Sequence, residues 1–74
     1  MAKSKAPEGV YRVTEVIGTS TVSWEDAANN AIVVASKSLR DLRIAEVVKL
    51  DMKVENGKVA AYRARIQLSF KYDA

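Results

Sequence analysis

RIAEVVKLDMKVENGKVAAYRARIQLSFKY, residues 43–72, is the stretch that decides the fold. In its first half Ile44, Val48, Leu50, Met52 and Val54 alternate with Arg43, Lys49, Asp51, Lys53 and Glu55. In its second half Ala60, Tyr62, Ala64, Ile66, Leu68, Phe70 and Tyr72 alternate with Arg63, Arg65, Gln67, Ser69 and Lys71. A period of two with one apolar row is the mark of a half-buried strand. Between the two strands stands Asn56-Gly57, a strong hairpin signal. A two-residue loop there would set the apolar row of one strand beside the polar row of the other, against the parity rule. A three-residue loop, Glu55-Asn56-Gly57 with Gly57 as a G1 bulge, aligns both rows and predicts the pairs Met52–Ala60, Leu50–Tyr62, Val48–Ala64 and Ile44–Leu68.

Upstream, residues 10–17 (VYRVTEVI) are β-branched and stop at Gly18, which predicts a first strand with Tyr11, Val13, Glu15 and Ile17 on one face. Ser23-Trp-Glu-Asp26 sets a capping hydroxyl three residues before a carboxylate, so a helix is expected from Trp24 to about Leu39. Its apolar positions Trp24, Ala27, Ala28, Ala31, Ile32, Ala35 and Leu39 recur at three and four, and the Ala-rich face lets a sheet approach closely. The order is strand, helix, strand, strand. A right-handed crossover makes the first two strands parallel, with the third between them and antiparallel to both. The fold class is therefore α+β, a three-stranded antiparallel sheet on one amphipathic helix. Residues 1–9, with Lys3, Lys5, Pro7 and Gly9, are expected to be a flexible basic leader, and residues 10–74 a single domain.

Composition bounds the function. With 74 residues, 49% apolar and 28% charged, the chain is ordinary globular material, yet alone it would bury only about 60% of its unfolded surface. Cys and His are both absent, so neither disulfides nor thiolate or imidazole metal sites can staple it, and self-assembly is the expected support. The same absence, with no GxxxxGK[ST] loop and no GxGxxG turn, argues against an enzyme. A net charge of +3, partly in the leader, is weak grounds for a nucleic-acid partner. The longest apolar run, residues 31–35, is too short to span a membrane, and the expected location is cytoplasmic.

Two constellations carry chemistry. The predicted register sets Lys49 opposite Arg63, with Arg65 opposite Val47 and Asp51 diagonal to Arg63, on a polar face that also holds Gln67, Arg12, Thr14 and Arg43. Like charges directly opposite one another call for a neutralising group. A phosphate-bearing or other anionic ligand would supply it, as would salt bridges between subunits or solvent. Glu15 and Glu46 interrupt apolar rows expected to face the helix, where carboxylates need a cation or a bonded partner. With Asp51 they are candidate oxygen ligands for a hard divalent cation, or partners of arginines in the same or another subunit.

The residues of 10–20 (VYRVTEVIGTS), Ser23-Trp-Glu-Asp-Ala27, Ala45-Glu-Val-Val48, Asn56-Gly-Lys-Val59, Tyr62 and Phe70 resemble the dodecin family over roughly residues 10–72. The resemblance implies β-α-β-β subunits in a hollow homododecamer of cubic 23 symmetry that stores flavins such as riboflavin or FMN, stacked between aromatic side chains of two-fold-related copies. It implies a binding protein. Flavin-binding dodecins carry a Trp before the Glu-Val-Val stretch and a Gln after the Tyr of the last strand, and here those places hold Ile44 and Arg63. The loss removes a stacking platform and replaces a donor–acceptor amide by a group that only donates. Asp51-Met52, Tyr62-Arg63 and Ser69-Phe-Lys71 are similar to a divergent branch without the flavin platform in which calcium binding is known. In some flavin dodecins a basic residue after the final Phe anchors a phosphate-bearing cofactor, a place that Lys71 would take. The expected function is a dodecin-like ligand store whose flavin site, around Ile44, Lys49, Arg63, Arg65, Gln67 and Lys71, is altered. Retained flavin binding, calcium binding and a purely structural oligomer are the alternatives.

Overall fold

The structure, a computed structural model, describes residues 10–71. The expected leader and Tyr72 lie outside the described residues. Strand β1 (Tyr11–Ser20), helix α1 (Trp24–Ser36), strand β2 (Leu42–Glu55) and strand β3 (Lys58–Lys71) form one helix on a three-stranded sheet of order β1-β3-β2. Both pairings are antiparallel, as the crossover argument requires. No helix among the described residues is long and apolar enough to cross a membrane.

The hairpin turn differs from the expectation. Asn56 (φ 53°) and Gly57 (φ 74°) are both left-handed, which is what a two-residue type I′ loop demands, and Glu55 pairs with Lys58. The parity conflict is relieved inside the strand instead: Val54 pairs with Val59 but Lys53 with Ala61, so Ala60 bulges out of β3. From there Met52 faces Tyr62, Asp51 faces Arg63, Leu50 faces Ala64 and Lys49 faces Arg65, two positions away from the predicted register. A second bulge at Val48 reverses the parity of β2, so that Val47 pairs with Ile66, Ala45 with Leu68, Glu46 with Gln67 and Ile44 with Ser69. Ile44 and Glu46, expected on the helix side, are thereby turned to the opposite face.

Gly18 lies within β1 rather than ending it. A Cβ at this position would overlap the Ala27 carbonyl oxygen and stand 2.8 Å from the Ala31 Cβ, so glycine is what lets α1 come down onto the sheet. This contact fixes which face of β1 is inward. Thr14, Val16 and Gly18 pair with Leu68, Ile66 and Ala64 beneath the helix, while Val13, Glu15, Ile17 and Thr19 line the far side with Ser69, Gln67, Arg65 and Arg63. The expectation had these faces exchanged, with Tyr11, Val13, Glu15 and Ile17 inward and Arg12 and Thr14 outward.

Helix α1 starts as expected: Ser23 is the N-cap and its hydroxyl accepts from the Asp26 amide at 3.0 Å. It stops three residues short of Leu39, because the last turn tightens, with Lys37 N–H donating to the Val34 carbonyl at 3.2 Å. Ala27, Ala31 and Ala35 pack on Ala64, Ile66 and Leu68. Among the described residues, only Ile66 and Leu68 are large side chains fully withdrawn from solvent. The radius of gyration, 16.0 Å, exceeds the roughly 11 Å of a compact chain this long. Val47, Leu50, Met52 and Val54, on the outer strand of the long hairpin, stay exposed.

Candidate ligand surface

The face of the sheet away from the helix is built in rows across the three strands. Thr19, Arg63 and Asp51 form one row, Ile17, Arg65 and Lys49 the next, then Glu15, Gln67 and Glu46, and last Val13, Ser69 and Ile44. Successive rows are two residues apart along β3, about 6.6 Å.

In the first row the Arg63 guanidinium closes on Asp51 with both prongs, Nε to Oδ1 at 2.7 Å and a terminal nitrogen to Oδ2 at 3.0 Å. Fork-on-carboxylate geometry of this kind is the strong form of an ion pair. Asp51 was expected diagonal to Arg63; the bulge at Ala60 brings it directly opposite. The Arg63 hydrogen bond holds the Asp51 carboxyl below its ordinary range, and the charges of Arg63, Lys49 and Arg65 act in the same direction. The same bond raises the Arg63 pKa. The pair is also tied to the helix: the Trp24 indole N–H donates to the Asp51 main-chain carbonyl at 3.0 Å. The Trp24 ring meets Tyr62 edge-on, with centroids 5.1 Å apart. Trp24 thus covers the end of the core.

In the second row Lys49 and Arg65 stand directly opposite each other, and neither forms an ion pair among the described residues. Lys49 had been expected opposite Arg63. In the third row Glu15 and Glu46 flank Gln67, both exposed and two strand spacings apart, roughly 10 Å. Asp51 is four positions away along β3 and is committed to Arg63. Accordingly, no group of three His, Cys, Asp or Glu side chains able to hold a metal occurs among the described residues. The expectation that Glu15 and Glu46 point at the helix is corrected: the parity change at Val48 and the anchoring of Gly18 under α1 place both on the open face.

The remaining site candidates are spread out. Ile44 is 58% exposed and pairs with Ser69, six positions from Arg63 along β3, about 20 Å, so one chain does not bring Ile44 and Arg63 together. Lys71 lies beside a separate hollow of about 210 Å³ at the end of the sheet, which it lines with Arg12, Arg40, Asp41 and Phe70. There the Arg12 guanidinium sits 5.9 Å from the Phe70 ring centre, within cation–π range. The alternating pattern placed Lys49, Asp51, Arg63 and Arg65 on the open face, but it set Glu15 and Glu46 on the wrong one. Which of them face one another was hidden, because that depends on the bulges at Ala60 and Val48.

Comparison with known proteins places this architecture. The dodecin family profile matches residues 10–73. A protein named calcium dodecin from Mycobacterium tuberculosis is 44% identical over 62 residues, covering 84% of this chain and 87% of that protein. The dodecin structure from Streptomyces coelicolor superposes with a TM-score of 0.85 at 36% identity, over 93% of this chain and 99% of that one. The crystal structure of the M. tuberculosis calcium dodecin, described as calcium-chelating with a novel calcium-binding site, gives a TM-score of 0.78 at 42% identity over 88% and 93%.

Proposed function

Because the chain belongs to the dodecin family, we propose that it is a small-ligand binding and storage protein that assembles from copies of itself, and that its flavin site is altered so that riboflavin and FMN bind weakly or not at all. The observation that carries this reading is the closure of Arg63 on Asp51. Where flavin-binding members present a Gln amide, this chain presents a guanidinium whose fork is already occupied and which has no acceptor. At the place of the stacking Trp stands Ile44, which offers no aromatic face to a ring worth about 1–3 kcal/mol when stacked. The residues present therefore do not fit a flavin. Because Ile44 and Arg63 are far apart in one chain, a ligand touching both would have to lie between copies.

The elongated subunit and Val47, Leu50, Met52 and Val54, which one helix leaves uncovered, support self-assembly, and the family resemblance points to a dodecameric shell. In this reading residues 10–74 are the assembling domain, residues 1–9 a basic leader, and the activity is binding rather than catalysis. Fluorescence quenching of riboflavin and FMN titrated with protein tests it, with an Ile44→Trp, Arg63→Gln double variant as positive control. The wild type is expected to leave flavin emission unchanged while the variant quenches it. Strong quenching by the wild type would mean that Ile44 and Arg63 are compatible with flavin and would overturn the reading.

Calcium binding is a second reading, favoured by the 44% identity to a protein named for calcium. The described acidic residues do not converge within one chain, so such a site would take carboxylates from more than one copy. Thermal stability that falls on chelation and returns with added calcium would support it; stability indifferent to both would leave the oligomer without a calcium role.

A further inference from the structure

Arg63, Arg65, Asp51 and Lys49 form a square on the open face, two residues on each of two paired strands. Its corners are about 5 Å apart across the strands and about 7 Å along them. Three cations share it with one carboxylate, and that carboxylate is fully engaged by Arg63. What remains is Lys49 paired with Arg65, two like charges directly opposite across the strands, a destabilising arrangement unless an anion neutralises them. The other acidic groups on this face are Glu15 and Glu46, one row further along β3 and flanking Gln67, and Glu55 near the hairpin turn, which pairs with Lys53 at 3.2 Å; none of the three is within ion-pair distance of Lys49 or Arg65.

We propose that Lys49 and Arg65 bind a dianionic phosphate group, free or as a monoester, and that Asp51 sets the strength of this site by holding the Arg63 fork out of it. The proposal deepens the reading of the chain as a ligand store by naming a ligand class, and it rests on that reading. Two unpaired positive charges call for two negative ones, and a phosphate concentrates them on three oxygens within reach of both side chains. Arg65 supplies planar paired donors and Lys49 a point charge. Asp51 is an internal competitor: its carboxylate occupies the one guanidinium that would otherwise complete a three-cation clamp.

Isothermal titration of the assembled full-length protein with inorganic phosphate and with phenyl phosphate, in phosphate-free buffer at fixed ionic strength, tests the proposal. Both probes are expected to bind the wild type, and Arg65→Gln to weaken them about tenfold or more, because a charge-assisted bidentate contact is lost. Asp51→Asn is expected to tighten both by a similar factor, and adding Arg63→Gln to it to abolish the gain. Glu15→Gln, which changes net charge equally but lies outside the square, is expected to change affinity less than about threefold, as a screened surface charge does. Trp24 emission checks folding of the Asp51 variant, since its indole bonds the main-chain carbonyl, which Asn retains.

Absence of binding by the wild type, or equal tightening by Asp51→Asn and Glu15→Gln, would overturn the proposal. So would Arg65→Gln dissociating the assembly while phosphate leaves the wild-type mass and heat unchanged; Arg65 would then be an ion-pair partner between copies. A flavin that quenches in the preceding titration would sink the altered-flavin reading without touching these outcomes, so the two failures are distinguishable.

Discussion

Replacing Gly18 with Ala perturbs the point on which the face of β1 and the height of the helix both depend. The added Cβ would overlap the main-chain oxygen of Ala27 and approach the Ala31 Cβ to 2.8 Å. A backbone carbonyl cannot swing aside as a side chain can, so the helix must lift from Ala64 and Ile66. Overpacking of a close-packed core costs about 1–3 kcal/mol, and a rigid obstacle puts this case near the upper end. The reduced freedom of the unfolded chain returns about 0.4–1 kcal/mol. A net loss of about 2 kcal/mol corresponds to a fall in Tm of roughly 8–16 °C for a domain this size. Gly57→Ala is the matched comparison: its φ of +74° makes Ala strained by about 1–2 kcal/mol, but nothing lies within 4 Å of the new Cβ. After the same entropic return it is expected to cost less than Gly18→Ala. Thermal unfolding followed by Trp24 fluorescence, at matched protein concentration because association raises Tm, reads both. A Gly18→Ala variant within about 0.5 kcal/mol of wild type, or a costlier Gly57→Ala, would refute the close-approach argument.

Ser20→Ala is expected to cost about 1–3 kcal/mol in urea unfolding, since the buried hydroxyl donates to Asp26 at 2.6 Å and accepts from the Val22 amide at 2.9 Å. The Asp51–Arg63 pair gives a pH signature with a definite sign. Because the Asp51 pKa is lowered from its ordinary 3.8 in the folded state, its contribution is present above that value and is lost as pH falls through the lower folded value. The stability difference between wild type and Asp51→Asn should therefore be flat at neutral pH and shrink below about pH 4; a difference that grows on acidification would contradict the pairing. The effect should be modest, as both side chains are about 40% exposed. Ile66→Ala, at a fully buried side chain, is expected to cost about 2–5 kcal/mol by thermal or chemical unfolding.

The sequence disclosed the elements because the local signals agree with the fold: alternation over β2 and β3, Asn56-Gly57 at the turn, Ser23 at the cap. Register was a different matter. A two-residue loop in a regular ladder does set the wrong rows together, and a three-residue loop is one remedy. The chain keeps the loop that Asn-Gly prefers and inserts Ala60 as a bulge. A bulge leaves no compositional trace here, so Ala60 and Val48 look like ordinary strand positions. The two shifts then decide the surface: they bring Asp51 directly opposite Arg63 and Lys49 opposite Arg65, and they turn Glu46 outward. Gly18 looks like a terminator from the local sequence, but its role is tertiary, a place for the helix to rest. Lys49, Asp51, Arg63 and Arg65 were legible as open-face charges; the faces of Glu15, Glu46 and Arg12, and the partners of all of them, were not, because these are set by register and bulges rather than by composition.

A ligand held between copies requires that the copies assemble, so the mass of the particle at micromolar concentration is the most direct measurement. Multi-angle light scattering of the full chain is expected to give about 97 kDa, twelve times the 8.1 kDa subunit. A monomer or dimer under those conditions would contradict it, and would leave Val47, Leu50, Met52 and Val54 facing water with no partner to cover them.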